Sequence, residues 1–408
     1  MKNLNNPQGS AVKKAAFSFI LLMGVVSLFS DMTHEGARSI MGAYLGLAGA
    51  SAAAIGFVSG LGEFVGYSLR LLTGFIADRT RRYWTLTIVG YLVDVLAIPA
   101  LALVPRNGWI FACILIVIQR TGKAIKKPAK DTILSFAAAQ NGAGKSFAIQ
   151  ELLDQIGAFL GPVILFLCLL VRKGGDEFSA YVLAFAVLGI PAAVTMILLL
   201  FARRKYPHPE QFEEEQKTAA SEFRLNKTFV FYIAAISLFA MGFLDFPLIT
   251  MHAARGGLFS TETLPLLYSS AMIVDALAAL VFGFLYDKFS LKVLMLSTAF
   301  SVPFAFFIFL FNARWALFLG TALWGIGMGA QESILKAAVT SIVPKQSRAK
   351  GFGIFQTFFG LFWFLGSWCM GALYDFNITA MVIFSAATQL AAIPLYFAAS
   401  RSLALTRQ

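Results

Sequence analysis

Long apolar stretches alternate with short polar ones along almost the whole chain. A helix that crosses a bilayer needs about 20 apolar residues, and twelve stretches approach that length. The sequence predicts transmembrane helices at roughly 16–38, 50–77, 84–104, 109–136, 146–171, 178–202, 227–251, 261–286, 291–311, 315–342, 351–374 and 379–400.

The longest polar stretch runs from Arg203 to Lys227 and contains PHPEQFEEEQKTAASEF. It separates six predicted spans from six others and is too short to be a domain. The predicted organisation is an N-terminal bundle (1–202), a cytoplasmic linker (203–226) and a C-terminal bundle (227–408). The expected fold is therefore an all-α membrane protein with twelve transmembrane helices in two pseudo-symmetric six-helix bundles.

Composition supports a multi-pass membrane protein. Of the 408 residues, 58% are hydrophobic and only 13% are charged, whereas soluble domains carry about 25% charged residues. The net charge is +12, and most lysines and arginines fall in loops on the same side as the two termini. Cytoplasmic loops of membrane proteins carry such an excess of lysine and arginine. We expect a bacterial inner-membrane protein with both termini in the cytoplasm, in contact with anionic lipids and not with nucleic acid.

Two loops repeat a pattern of glycine, acid and base. GFIADRTRRYW (74–84) follows the second span, and GFLYDKFSLKV (283–293) follows the eighth. Gly74, Asp78, Arg79, Arg81 and Arg82 resemble the cytoplasmic loop signature of the major facilitator superfamily, and the second copy holds Gly283, Asp287, Lys288 and Lys292. Gly157, Gly161 and Pro162 resemble the fifth-helix motif of this superfamily. Arg120, an arginine in the fourth span, is a further part of the resemblance. This resemblance implies alternating access, with Asp78 to Arg82, Asp287 and Lys288 in a cytoplasmic gate.

A bacterial subgroup of that superfamily is more similar still. The stretches DMTHEGARS, RTGKAIKKPAKD, LLDQIGAFLGP and DFPL carry this resemblance, which implies no particular substrate. Lys126 and Lys130 stand where the subgroup usually has arginine. We expect these lysines to join ion pairs at the cytoplasmic gate or, alternatively, to face anionic lipid.

Ionisable residues inside the spans predict a polar cleft. A charge in hydrocarbon costs about 2.5–3.5 kcal/mol by insertion scales, so such residues face protein or water. They avoid spans 3, 6, 9 and 12, with Asp94 as the exception, and those four spans are therefore predicted to face lipid. The predicted proton-coupling or substrate residues are Asp31, Glu35, Glu63, Arg70, Arg120, Asp154, Asp245 and Asp275; Lys123, Glu151, Glu332 and Lys336 are also embedded.

Spacing within the helices suggests which charges meet. Asp31, His34, Glu35 and Arg38 fall on one helical stripe, and two nearby carboxylates favour proton uptake by one of them. Glu63 and Arg120 reach the same depth at 1.5 Å per residue, so we expect a central ion pair. The alternative is a purely structural ion-pair network. His34 and His252 are further candidates for proton supply, or else plain interface residues.

Other chemistry is not indicated. NGAGKS (141–146) resembles a phosphate loop but has Ala139 where the first glycine is required, and no strand precedes it. The three cysteines are far apart, and no metal-ligand spacing or nucleophile cluster is present. We expect neither enzyme activity nor a cofactor nor a metal.

The resulting hypothesis is a secondary active transporter that works as a monomer with a small-molecule substrate and protons. Because the embedded acids outnumber the bases, proton-coupled export is favoured. The alternative is uptake of an organic anion such as a polycarboxylate, attracted by Arg70, Arg120 and Lys123. A third possibility, from another class, is a non-transporting membrane sensor.

Overall fold

The computed structural model describes residues 7–141, 143–171, 174–212, 226–343 and 348–407, and these residues form helices and connections without a strand. Most of the predicted linker 203–226 and the side chains of Glu332 and Lys336 lie outside the described part. The helices are α1 (Pro7–Leu47), α2 (Ala52–Thr80), α3 (Tyr83–Ala100), α4 (Trp109–Asn141), α5 (Ala143–Leu170), α6 (Glu177–Val187), α7 (Gly189–Lys205), α8 (Lys227–Gly242), α9 (Phe246–Arg255), α10 (Leu264–Phe289), α11 (Lys292–Ser301), α12 (Phe304–Leu310), α13 (Arg314–Ile342), α14 (Arg348–Phe376) and α15 (Ile378–Arg407).

Three predicted spans are broken into two helices each, namely α6 with α7, α8 with α9, and α11 with α12. With these pairs counted as single segments, ten segments of the described chain are long and apolar enough to cross a membrane. The two predicted spans not among them are α4 and α13, with 33 and 29 residues. Both are long enough, but α4 carries Arg120, Lys123 and Lys126, so the predicted count of twelve spans stays unconfirmed there.

The first helix is much longer than predicted, and this moves its polar cluster. α1 has 41 residues, which is about 60 Å at 1.5 Å per residue. The polar stretch from Asp31 to Arg38 therefore lies inside the helix and not at its end. The Arg38 side chain is only 12% exposed and is packed between helices.

The helices pack into two halves that meet along a few pairs. In the N-terminal half α1 packs on α5 and α3 on α4; in the C-terminal half α10 packs on α13 and α8 on α15. Across the interface, α1 meets α9, α2 meets α14, and α5 meets α10. Helices from both halves thus border the same central region, where the predicted cleft residues are concentrated.

The repeated loops share an unusual backbone conformation. Arg81 and Ser290 are the non-glycine residues with positive φ in the described chain, each at 53°. They occupy the same position in GFIADRTRRYW and GFLYDKFSLKV, directly after α2 and α10. Since a positive φ is uncommon for residues with a side chain, its recurrence at matched positions supports the pseudo-symmetric arrangement of the two halves.

Close packing of α1 on α5 depends on two glycines of the fifth-helix motif. A Cβ atom at Gly157 would lie 2.2 Å from the carbonyl oxygen of Leu28, and one at Gly161 would lie 2.3 Å from that of Met32. Those neighbours are backbone atoms, which cannot move aside as a flexible side chain can. Gly66, in the middle of α2, has no neighbour within 4 Å of a Cβ.

We predict that Gly157→Ala forces α1 away from α5 and lowers the free energy of unfolding by about 1–3 kcal/mol, as overpacking does. The matched control Gly66→Ala should be neutral or stabilising by up to about 1 kcal/mol, because alanine favours helix. Unfolding of both variants in detergent measures this difference. Equal stability of Gly157→Ala and wild type would contradict the packing described here.

Candidate functional site

A chain of charged groups joins the two halves in the interior of the protein. One guanidinium nitrogen of Arg38 on α1 lies 2.6 Å from Oδ1 of Asp245, and another lies 3.8 Å from Glu35. The carboxylate of Glu35 accepts a hydrogen bond from the hydroxyl of Tyr268 on α10. These side chains are largely buried, so each charge depends on its partner across the interface.

The break between α8 and α9 explains why Asp245 can take part. Residues 243–245 are not helical, and the Asp245 side chain caps α9 by accepting the N–H of Phe246 at 2.9 Å. Pro247 follows in the first turn of α9. The N–H groups of a first turn have no partner within the helix, so the missing N–H of proline costs no hydrogen bond there. The indole N–H of Trp324 donates to the freed carbonyl of Leu244 at 2.8 Å. The break between α8 and α9 thus aims the Asp245 carboxylate at Arg38.

The predicted central pair of Glu63 and Arg120 is also present. The two side chains approach to 2.9 Å and are 13% and 15% exposed. Gly62 lets Arg120 pass close to α2, since a Cβ there would lie 2.8 Å from the arginine Cγ. This pair lies within the N-terminal half and links α2 to α4.

A small internal cavity lies between these groups. Its volume is about 40 Å³, and it is lined by His34, Glu35, Arg38, Gln119 and Arg120 together with Ala37, Met41, Ser59, Ile98, Ile116 and Pro247. One water needs about 10–15 Å³ of such volume, so the cavity has room for a few waters.

Asp94, set aside in the sequence as an exception, is a centre of buried contacts. Its side chain is fully buried and accepts hydrogen bonds from Gln119 Nε2 at 2.7 Å and from the Lys126 ammonium, with His34 Nε2 at 2.8 Å. The prediction that the third span only faces lipid is therefore wrong for this side of α3. A single acid in an otherwise apolar span was the signal that could have identified it, because an unpaired buried carboxylate is not tolerated.

The lysines of α4 are internal as well. Lys126 and Lys130 are each 5% exposed, and their ammonium groups donate to Ser30 and Ser27 of α1, each at 2.8 Å. Lys126 also lies over the Tyr91 ring, 4.0 Å from its centroid. The expectation of a lipid-facing position is wrong for these two residues, because their side chains turn into the N-terminal half. Lys126 does form an ion pair, with Asp94, and a role in a gate stays a prediction.

The remaining predicted cleft residues lie around this centre. Asp31 is within electrostatic range of Asp154 and Lys123, and Asp154 accepts a hydrogen bond from Gln150 at 2.9 Å. Glu151, expected to face the cleft beside Asp154, is exposed.

Arg70 and Asp275 lie further from the charged chain. The Arg70 guanidinium stacks over the Tyr67 ring at 4.7 Å, and its Nε is buried without a hydrogen-bond partner among the described residues. Asp275 on α10 is 2% exposed and packs against Gly329 of α13. Arg70 thus borders the interface of α2 with α14, whereas Asp275 lies within the C-terminal half.

The signature residues of the repeated loops lie on the side of the molecule that carries the two chain termini. Gly74 packs near Pro128 of α4, whereas Asp78, Arg79, Arg81, Arg82, Asp287 and Lys288 are exposed. Their role in a gate stays a prediction.

The C-terminal half has different chemistry at the matching place. Aromatic rings fill its centre: Phe243 stacks on Trp324 at 5.6 Å and contacts Trp363 at 5.5 Å. His252 is bound to the Tyr374 hydroxyl at 2.9 Å, so it shares no partner with His34. The two histidines do not form a pair, and the charged groups belong mainly to the N-terminal half.

Comparison with known proteins identifies the family. The family model of the Major Facilitator Superfamily matches residues 15–260 and again 246–406. An uncharacterised protein of Mycobacterium tuberculosis is 36% identical over 389 residues, which are 94% of this chain and 93% of that protein. An uncharacterised transporter of the same superfamily type from Methanocaldococcus jannaschii is 27% identical over 356 residues, 84% and 85% of the two chains.

Solved structures share the fold. The nucleoside transporter NupG superposes with a TM-score of 0.68 at 16% identity, covering 96% of this chain and 99% of its own. A D-xylose–proton symporter gives 0.69 at 13% identity over 94% and 97%. The double family match over both halves, together with the relative of transporter type, shows that this chain is not an enzyme but a secondary transporter belonging to the major facilitator superfamily.

Proposed function

We propose that the protein exports a small organic molecule across a bacterial inner membrane in exchange for protons, as a monomer with both termini in the cytoplasm. The observation that carries this proposal is the buried chain of Glu35, Arg38, Asp245 and Tyr268, which joins the two halves beside a cavity. A carboxyl group can change protonation there, and its partner lies on the half that must move.

The physical link between proton and motion is the cost of an unpaired charge. Removing one partner of a buried ion pair costs about 3–5 kcal/mol, because the other charge is left uncompensated. Separation of the halves would leave Asp245 without Arg38 unless the carboxylate takes up a proton. Protonation therefore lowers the cost of opening, and deprotonation favours the closed arrangement.

Polar links on the side away from the termini suggest which end of the interface must open. The Asp375 carboxylate, at the end of α14, accepts the backbone N–H groups of Ala52 at 3.2 Å and of Ala53 at 2.8 Å, at the start of α2. Arg255 donates to the carbonyl of Ala50 at 3.4 Å. A negative charge at a helix N-terminus is favourable, so Asp375 acts as a latch between the halves.

Uptake of an organic anion is the second candidate, and Arg70 favours it. Among the described residues the other arginines of the central region, Arg38 and Arg120, are paired with carboxylates. The Nε of Arg70 has no such partner, and the guanidinium plane is held against an aromatic ring. A planar guanidinium binds a carboxylate through two parallel hydrogen bonds.

The direction of proton flow distinguishes the two functions. Purified protein is first screened by thermal shift against amines, amino acids, dicarboxylates and tricarboxylates. It is then placed in liposomes that contain a pH dye, and its orientation is determined by labelling Leu103→Cys with an impermeant maleimide. Export by exchange predicts that protons move opposite to the compound that binds, and anion uptake predicts movement in the same direction. Transport without proton movement would contradict both.

We predict that Glu63→Gln reduces this proton movement by more than about tenfold, equivalent to about 1.4 kcal/mol, because Arg120 loses its counter-charge. The control is Asp176→Asn in an exposed loop. Hydrogen bonds from Ser179 and Arg106 lower the pKa of Asp176 to about 2, so this residue stays charged over the assay range and its neutralisation should leave the flux unchanged. Normal flux in Glu63→Gln would exclude the pair from coupling.

We predict that Asp375→Asn opens the side away from the termini. The ratio of closed to open molecules should fall about fivefold or more, since a charge at a helix N-terminus contributes about 0.3–1 kcal/mol and hydrogen bonds to charged groups about 1.5–3 kcal/mol. Spin labels at Leu103 and Trp315, both exposed on that side and in different halves, report the distance. Asp176→Asn lies on the same side within one half and should not change it; an unchanged distance in Asp375→Asn would contradict the latch.

A further inference from the structure

A buried polar column fills the space between α1, α3 and α4, separate from the chain of charges that joins the halves. It consists of Ser30, His34, Asp94, Gln119 and Lys126, and each of these side chains is 6% exposed or less. Neither the ion pair of Glu63 and Arg120 nor that of Arg38 and Asp245 includes any of them. The column therefore needs its own explanation.

Two glycines bring the column together. A Cβ at Gly90 of α3 would lie 2.5 Å from the backbone nitrogen of Lys126, and one at Gly122 of α4 would lie 2.5 Å from that of Asp94. Each helix thus presents a glycine directly opposite the charged residue of the other. This reciprocal close approach places the Asp94 carboxylate against the Lys126 ammonium in the interior of the half.

The hydrogen bonds define one tautomer of His34. Gln119 Nε2 donates to Asp94 Oδ1 at 2.7 Å and lies 3.1 Å from His34 Nδ1. A histidine nitrogen that faces an amide donor must accept, so in this network Nδ1 carries no proton. The proton is then on Nε2, which lies 2.8 Å from Asp94 Oδ2 and donates to it. His34 is neutral in this arrangement, and its basic nitrogen, Nδ1, accepts the Gln119 amide N–H.

The column touches the cavity at one end only. His34 and Gln119 belong to the cavity lining, whereas Asp94 and Lys126 do not. Water in the cavity can therefore reach the imidazole without reaching the carboxylate. His34 lies between the water and the buried ion pair.

We propose that His34 and Asp94 form a proton-binding site of the transport cycle, an inference that rests on the proton coupling proposed above. When the Gln119 amide turns away from Nδ1, a hydronium ion in the cavity gives its proton to His34 Nδ1 and becomes water, and the proton on Nε2 moves to Asp94 Oδ2. The products are a neutral His34 with its proton on Nδ1, a neutral Asp94 and an unchanged Lys126 ammonium. The site has gained one positive charge.

The consequence is a weaker tie between α3 and α4. Lys126 loses its counter-charge but keeps the Ser30 hydroxyl and the Tyr91 ring. Other charged groups contribute to the titration of His34. Asp94 on α3 and Lys123 and Lys126 on α4 act on it directly, and Glu35, Arg38 and Arg120 line the same cavity. The helices packed against α1 also carry Asp154 (α5), Asp245 (before α9) and Tyr268 (α10), and α1 itself carries Asp31.

The small number of histidines gives a direct test. The chain has three histidines, so protein labelled with ¹⁵N-histidine in liposomes gives few imidazole signals in solid-state NMR. His34→Gln assigns the signal of interest, and His208→Gln, in an exposed loop, is the control that removes only an ordinary histidine. We expect His34 to carry its proton on Nε2 at neutral pH and on Nδ1 after acidification.

Two substitutions should move the pH of that change in opposite directions. Lys126→Gln removes a positive charge and should move it higher, by about 1–3 pH units. Asp94→Asn removes a negative charge and should move proton uptake lower by a similar amount; because asparagine cannot take the Nε2 proton, His34 then carries a proton on both nitrogens. If Asp94→Asn does not fold, Gln119→Leu replaces it: Nε2 stays protonated at neutral pH because it still faces the Asp94 carboxylate, and proton uptake at Nδ1 should move to higher pH because the amide donor is gone. Shifts of the same sign in Asp94→Asn and Lys126→Gln, no shift in Gln119→Leu, or a His34 signal that does not change between about pH 5 and 8, would overturn the proposal.

The flux assay separates this site from the proposed function. We expect Asp94→Asn to bind the transported compound by thermal shift and to lose the coupled proton movement. If wild-type transport moves no protons although His34 changes tautomer, proton coupling fails and the site remains. If protons move although His34 never changes, only this inference fails.

Discussion

The interior of this transporter is organised by the cost of placing a charge in hydrocarbon. Every buried charge must find a partner, and the partners determine which helices are tied together. Asp94 with Lys126 ties α3 to α4, and Glu63 with Arg120 ties α2 to α4. Arg38 with Asp245 ties α1 to the opposite half. The first two pairs hold one half together, whereas the third joins the two halves.

The two halves share a backbone plan but not an interior. Matched positive-φ residues follow α2 and α10, yet the charges concentrate in the N-terminal half and aromatic rings fill the C-terminal one. The C-terminal half contributes two residues to the interface. Asp245 lies in the break between α8 and α9, and Tyr268 lies on α10. Buried ionisable groups are thus concentrated in one half, and the other half supplies Asp245 and Tyr268 as their partners across the interface.

Sequence reasoning reached part of the candidate site. Counting residues at 1.5 Å per residue placed Glu63 and Arg120 at one depth, and the structure pairs them. The first predicted span ended at residue 38, because apolar composition ends a predicted span where polar residues begin, although the helix continues to Leu47. Asp94 was set aside and Lys126 was assigned to the surface, since spacing along one helix does not show which neighbour its face meets.

The sequence by itself determined the membrane class, the two repeated halves and the helices that carry charge, because apolar length and loop patterns are local properties of the chain. Only the tertiary structure decided which charges meet. That outcome depends on the rotation of each helix about its axis and on glycine contacts such as Gly90 and Gly122, which bring α3 and α4 close enough for Asp94 to reach Lys126. Such contacts join residues far apart in the chain, so no local pattern specifies them.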